Sequence, residues 1–369
     1  MVKDSRIRSQ GTKALLYLLY LMVSTGIAVE LGARVLLSSV DDAETIQQQA
    51  LARLLNSATV GGADTPLGVR LSPHAEQTVR SGDLVFTVRT NSLGFRGPDP
   101  AAPTGDEHRV LFLGDSMVFG HGLEEDETLP HQVQVSLRRA GTEASVYNGA
   151  ISGLSTVQEL AATAQLLPVL QPDQVVLGYF VGNDPLANLL SYVDDQGHVQ
   201  FSAADVEDLR LRLHDHLRPL LPSVAFRAIA LRYYVPRLRY WWSSDGSVLQ
   251  RSCDLIQEMQ QVCARAGTSF SVLLIYPRDG VAGGVTSMLS GSRGVGQRLA
   301  SMLAELDVAV LDTARLLPTG ADRRFYFATD GHLNAAGTRE LAGLVAQELA
   351  AQGLAAQGLL QIQKKAPTP

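Results

Sequence analysis

The stretch RVLFLGDSMVFGHG, residues 109–122, decides the fold. Val110 to Gly114 form an apolar run without polar alternation, which suits a strand buried on both faces, as in a parallel sheet. The run breaks at a glycine. Asp115 and Ser116 open the next segment, and Gly120 and Gly122 close it. A serine at that break has two readings: a turn or N-cap residue for the following helix, or a nucleophile held out at the end of a strand. The rest of the chain separates them.

Runs of the same kind recur as VVLGYF (175–180), FSVLLIYP (270–277), VAVLD (308–312) and, more weakly, ASVYN (144–148). Helical patterns lie between them, around 127–140, 155–168, 248–266 and 294–306. A last one fits 335–352, with Leu341, Leu344, Val345 and Leu349 on one face. Strands alternating with helices predict a doubly wound α/β domain. One connection is too long for a plain crossover. Residues 185–247 read as a helical cap insertion in which Arg232, Arg237 and Arg239 mix with Tyr233, Tyr234, Tyr240, Trp241 and Trp242. Such a surface suits a membrane interface or carbohydrate; the plainer reading is a cap that packs on its own domain.

Ligands of open α/β sheets sit beyond the carboxyl ends of the strands, so the residues that follow each strand matter most. They are Gly114-Asp115-Ser116, then NGAISGLST (148–156) with Gly149 and Gly153, then Gly182-Asn183-Asp184, and finally DGHLNAAG (330–337) with Asp330 and His332. This is a hydroxyl, a glycine turn, an amide, and a carboxylate beside an imidazole, which is what acyl hydrolysis requires. A serine hydroxyl needs a base to become nucleophilic. His332 can be that base, and Asp330 can fix its tautomer. The backbone N–H groups of Ser116 and Gly153 and the side-chain amide of Asn183 can serve as the oxyanion hole. Taken singly, each residue has a plainer reading as a cap, a turn or a surface group; their order along the chain is the signal. His121 and His131 follow Ser116 closely but are poorer candidates for the base. His214 and His216 are two apart, not the spacing that puts two ligands on one helical face, so they give little reason to expect a metal.

The blocks FLGDSMVFG (112–120), NGAISGLST, GYFVGND (178–184) and DGHLNAAG resemble, in order, the four blocks of the SGNH (GDSL-type) hydrolase superfamily. The resemblance covers residues 108–352 outside the insertion and points to the membrane-anchored bacterial type. It implies a flavodoxin-like three-layer sandwich with a five-stranded parallel sheet, and ester hydrolysis without metal or cofactor. By the family pattern Ser116 is the nucleophile, His332 the base and Asp330 its partner, with Ser116, Gly153 and Asn183 in the oxyanion hole. Two positions depart from the pattern. Met117 replaces the usual leucine. Asp330 precedes His332 by two residues, whereas many members place the acid three before; that position here is Thr329. Some membrane-anchored and polysaccharide-modifying relatives resemble the tighter Asp-x-His form. NSLGFRG (91–97) also resembles segments of anchored bacterial members. No G-x-S-x-G elbow surrounds Ser116, which disfavours the α/β-hydrolase fold.

The amino terminus carries the second message. Residues 1–13, MVKDSRIRSQGTK, set Lys3, Arg6, Arg8 and Lys13 against one acid, Asp4, and an uncharged apolar run follows from Ala14 to Val29. With the apolar character that resumes through Val35–Leu37, residues 14–37 are expected to be a single-pass anchor. The basic flank predicts a cytoplasmic start and an exported bulk, periplasmic or extracellular. A signal peptide cleaved after Gly26-Ile27-Ala28 is the alternative. Residues 38–107 read as a juxtamembrane helix (41–57) and a small β region containing the alternating LVFTVRT (84–90), and 353–369 as a frayed tail. The net charge of −6, with no basic block beyond the start, gives no footing for nucleic acid. Cys253 and Cys263 lie ten apart in one predicted helix, about 15 Å along its axis, too far for a disulfide. They read as buried thiols.

The sequence therefore points to a membrane-tethered serine esterase acting on an ester substrate, with O-acetyl groups of a cell-envelope glycan foremost. An O-acyltransferase on the same glycan and a lysophospholipase or lipid esterase use the same residues. A non-catalytic envelope scaffold that retains the fold is the alternative of another class.

Overall fold

The computed structural model describes residues 17, 19–30, 71–103, 107–193, 199–201, 246–282, 291–318, 320, 322–328 and 330–365. The chain divides into two compact units, Met1–Arg53 with Ala204–Leu238 and Leu54–Ala203 with Arg239–Pro369. Of the first unit, residues 19–30 form a helix on which Leu19, Tyr20, Met22, Val23, Ile27 and Val29 are exposed. Among the described residues no helix is long and apolar enough to cross a membrane; most of the remaining 14–37 segment lies outside them. So do the expected helix at 41–57, nearly all of the cap material between 202 and 245, and the last four residues of the tail.

The second unit is built on five parallel strands: β3 (His108–Gly114), β4 (Ala144–Asn148), β5 (Gln174–Phe180), β8 (Ser269–Ile275) and β9 (Ala309–Asp312). Their order, β4-β3-β5-β8-β9, is the flavodoxin-like 2-1-3-4-5 when only these strands are counted. The continuous apolar runs of the sequence are visible directly here. Val110–Leu113, Val175–Leu177 and Val272–Ile275 have essentially no solvent exposure, because helices cover both faces of the sheet. The registers Gly114↔Gly178 and Leu177↔Val272 align the carboxyl ends of β3, β5 and β8 at one rim.

Seven helices matter for the site: α1 (Ser116–Phe119), α2 (Leu129–Arg139), α3 (Thr156–Leu170), α4 (Asp184–Leu190), α5 (Gly246–Arg265), α6 (Ser292–Glu305) and α7 (Ala335–Lys365). α2 packs along α7, while α5 packs on α3 and α4, the two-layer arrangement that right-handed crossovers impose on this strand order. Inside the second group a polar network is closed. Asn188 accepts from the Thr156 N–H and donates to the hydroxyls of Thr156 and Ser252, and Ser252 also pairs with the Tyr179 hydroxyl. Cys253 and Cys263 are free and buried in α5, and burial pushes their thiols up to about 11 and about 12.

Three features differ from the sequence expectation. LVFTVRT is a strand, β2 (Leu84–Arg89), but it pairs with an unanticipated β1 (Glu76–Ser81). Phe86, Val88 and Phe95 then join the main core, so this stretch packs into the sheet-bearing body and is not an appended region. The start of the insertion contains an antiparallel hairpin, β6 (Ser191–Val193) with β7 (Val199–Phe201), where helical material was expected. Finally, α7 continues to Lys365 rather than ending near 352. The tail is rich in Ala, Leu and Gln, strong helix formers that sustain it.

Candidate active site

β3 ends at Gly114, and the chain turns at once into α1, whose first residue is Ser116. The turn is tight enough to need glycine. Gly114 has φ 153°, and a Cβ there would lie 2.6 Å from Val118 Cγ2 and 2.9 Å from the Gly178 carbonyl. Across the strand pair, a Cβ on Gly178 would meet Val118 Cγ2 at 2.2 Å. These two bare positions let α1 sit directly on the ends of β3 and β5. Asp115 caps α1, its carboxylate accepting from the Met117 N–H at 2.9 Å. As the first residue of a helix, Ser116 has no intrahelical partner for its own N–H.

His332 arrives from the loop between β9 and α7. That loop is fixed from both sides. Tyr326 bridges Leu333 in antiparallel fashion, and its hydroxyl donates to the Tyr276 carbonyl at the end of β8. Asn334 caps α7 by accepting from the Ala336 and Gly337 N–H groups, and its amide donates to the Arg324 and Tyr326 carbonyls. Held in this way, His332 places Nε2 2.7 Å from Ser116 Oγ. Nδ1 makes a short hydrogen bond to Asp330 Oδ1, which also accepts the His332 backbone N–H at 2.8 Å. The two-residue spacing of Asp330 and His332 is what lets one carboxylate oxygen hold both groups. Those bonds, the ring contact foremost, lower Asp330 to about 2. The side chains of His332 and Asp330 remain 22% and 27% exposed, so the chain of three groups opens to solvent.

Asn183 follows β5 and starts α4. Its Nδ2 donates to Asp115 Oδ2 at 2.9 Å, across the point where the strand order reverses. A carboxylate can only accept, so this bond fixes which way the amide faces. Asp115 is fully buried; burial raises its carboxyl, and the bonds from Met117 and Asn183 work against that rise. Gly153 lies in the turn after β4 with φ 85°. The nearby Ile151 N–H donates to the Gly114 carbonyl at 3.3 Å, tying this turn to the one that carries Ser116. Behind them lie two further buried acids, Glu159 on α3 and Asp184 on α4. Both are raised well above the ordinary carboxylate range, first by burial and then by the charge of Asp115.

Three contributions were not read from the sequence. Asp115 was noted only as a neighbour of Ser116; it orients Asn183. Arg96, in NSLGFRG, is buried beneath the loop after α1. Its guanidinium donates to the carbonyls of Thr87, Phe119, Gly120 and Leu123 and pairs with Glu125 at 3.1 Å. His121, considered only as a rival base, stacks on His332 with ring centroids 4.6 Å apart and a tilt of 33°, and meets Phe86 edge-on at 5.1 Å. Burial first, and the facing His332 second, push His121 down to about 4. The NSLGFRG stretch drew attention to Arg96 only by its resemblance to anchored members; nothing local marked His121. His131 lies on α2, and His214 and His216 lie outside the described residues.

The parallel sheet thus carries the Ser116–His332–Asp330 bond chain at its carboxyl rim, with Asn183 beside it. No protein-family model and no curated protein matches the chain. Among solved structures it is similar to a GDSL-like lipase from Bacteroides thetaiotaomicron: 12% identity over 68% of this chain and 92% of that one, TM-score 0.37. It is also similar to a psychrotrophic esterase from Pseudoalteromonas sp., with 12% identity, 67% and 99% of the two chains covered, and TM-score 0.38. An acetyl xylan esterase gives 11% identity, 65% and 98% coverage, and TM-score 0.40.

Proposed function

We propose that the chain is a serine esterase in which Ser116 is the nucleophile, His332 the general base and acid, and Asp330 the group that holds the imidazole. The observation that carries this reading is the continuous bond chain Ser116 Oγ–His332 Nε2 and His332 Nδ1–Asp330 Oδ1. In the forward step the Ser116 oxygen attacks the ester carbonyl while His332 Nε2 takes its proton. The resulting imidazolium is stabilised by Asp330, which stays ionised. The carbonyl oxygen becomes an oxyanion facing the N–H groups of Ser116 and Gly153 and the second N–H of the Asn183 amide, whose first is held by Asp115. His332 then returns the proton to the departing alkoxide, leaving acyl-Ser116 and a free alcohol. Water repeats the sequence, with His332 as its base, and releases the acid.

The substrate proposed is an O-acetyl ester on a cell-envelope glycan, with the enzyme tethered by its amino-terminal segment and facing the periplasm or exterior. Two features support this. The His332 and Asp330 side chains are partly exposed, so an ester borne on a glycan can reach them from solvent. The apolar residues 14–29 behind a basic flank have the pattern of an anchor. The test has two parts. A fluorophosphonate reagent should label the wild type and not Ser116→Ala. Acetate released from acetylated oligosaccharide should then exceed fatty acid released from lysophospholipid. Efficient fatty-acid release with no acetate would overturn the glycan assignment. Transfer of acetyl to an added sugar in preference to water would make the chain an acyltransferase.

A further inference from the structure

The stacked pair His121–His332 offers something the esterase mechanism does not use. Among the described residues, no hydrogen bond engages a ring nitrogen of His121; its recorded partners are the rings of Phe86 and His332. One ligand atom each from His121, Asp330 and His332 lie within 4.8 Å of one another. Two imidazoles and one carboxylate are a donor set that suits zinc and discriminates against magnesium or calcium, which take mainly oxygen ligands. Tetrahedral zinc, with bonds of about 2.0–2.2 Å, needs donors about 3.3 Å apart. All three side chains are only partly buried, so the ion has access from solvent and the rings have room to swing the remaining distance.

We infer that these three side chains form an inhibitory site for a zinc-class divalent cation, so that free zinc switches the esterase off. The inference rests on the reading of His332 as the catalytic base. A metal on Nε2 occupies the lone pair that must accept the Ser116 proton. A metal on Nδ1 displaces the Asp330 hydrogen bond that sets the tautomer. Either way one ion removes the base, and no covalent change is needed to restore it.

The experiment uses the purified full-length chain, with zinc sulfate titrated against fluorophosphonate labelling of Ser116 and calorimetry run on the same samples. The expected result is one zinc bound per chain, labelling slowed at least tenfold at saturation, full recovery with EDTA, and no effect of magnesium at the same concentration. His121→Phe keeps an aromatic ring between Phe86 and His332 but removes the ligand. It should label at a rate independent of the same zinc concentration, and its zinc affinity should fall at least tenfold. His121→Leu, which removes the ring, serves the same purpose should the phenylalanine disturb the fold, with zinc-free labelling reporting an intact site. Equal slowing by zinc in the wild type and both variants, or none in the wild type, would overturn the zinc site. A chain that binds one zinc through His121 but never labels would instead overturn the esterase reading and leave the metal site standing.

Discussion

At the scale of single residues, the weight rests on how three side chains are held. Asp330 touches His332 twice, through the backbone N–H and through the ring, so its loss removes both orientation and charge stabilisation. Asp330→Asn is expected to lower kcat by about 10³–10⁴-fold, the scale typical when a triad acid is neutralised, with the fold retained by circular dichroism. The carboxyl of Asp330 is lowered to about 2 chiefly by its bond to His332. It therefore stays ionised through the whole working range, and its pairing supports the folded state above the ordinary carboxylate range and is lost as pH falls toward 2. A pH–rate profile should accordingly show no break from Asp330 above about pH 3. In the proposed mechanism Asn183 is an oxyanion donor, so Asn183→Ala should cost about 10²–10³-fold in kcat with KM nearly unchanged. A pure KM effect would place the amide in substrate binding instead.

At the scale of elements, the nucleophile turn is held by its neighbours as much as by its own sequence. Gly114 and Gly178 let α1 press on the strand ends, and Arg96 joins the β1–β2 stretch to the loop that carries His121. Removing a buried guanidinium that serves four carbonyl acceptors and Glu125 strips each of them of a charged donor. Arg96→Ala is expected to cost at least about 3 kcal/mol of unfolding free energy, read by urea denaturation. Arg96→Lys should recover only a small part, because one ammonium cannot reproduce a planar fork that serves acceptors on several sides. Full rescue by lysine would mean that charge alone is at work there.

At the scale of the whole molecule, the sequence made the sheet and the site order legible for a definite physical reason. Strands buried on both faces must be apolar throughout, so Val110–Leu113, Val175–Leu177 and Val272–Ile275 announce themselves. The ends of such strands are where polar groups can meet, so Ser116, Asn183, Asp330 and His332 stand out against that background. What was not legible depends on long-range contact. The packing of Phe86 and Phe95 into the core, the reach of Arg96 across 24 residues to Gly120, and the meeting of His121 with His332 leave no local period or motif. The buried acids behind the site also have a global consequence. Glu159 is raised by burial, so between the ordinary carboxylate range and its raised value the folded state holds a proton that the unfolded chain has released. Stability therefore falls as pH rises through that window. Glu159→Gln should raise Tm at pH 8 and change it little at pH 4; an unchanged difference between the two pH values would contradict the upward shift of the buried carboxyl.

The central claim is that His332 makes Ser116 nucleophilic, and its most direct measurement is active-site phosphonylation followed by peptide mapping. The account predicts a single adduct on the peptide containing Ser116, formed rapidly by the wild type and at least about 10³-fold more slowly by folded His332→Ala. An adduct on another residue, or equal labelling with and without the imidazole, would contradict it.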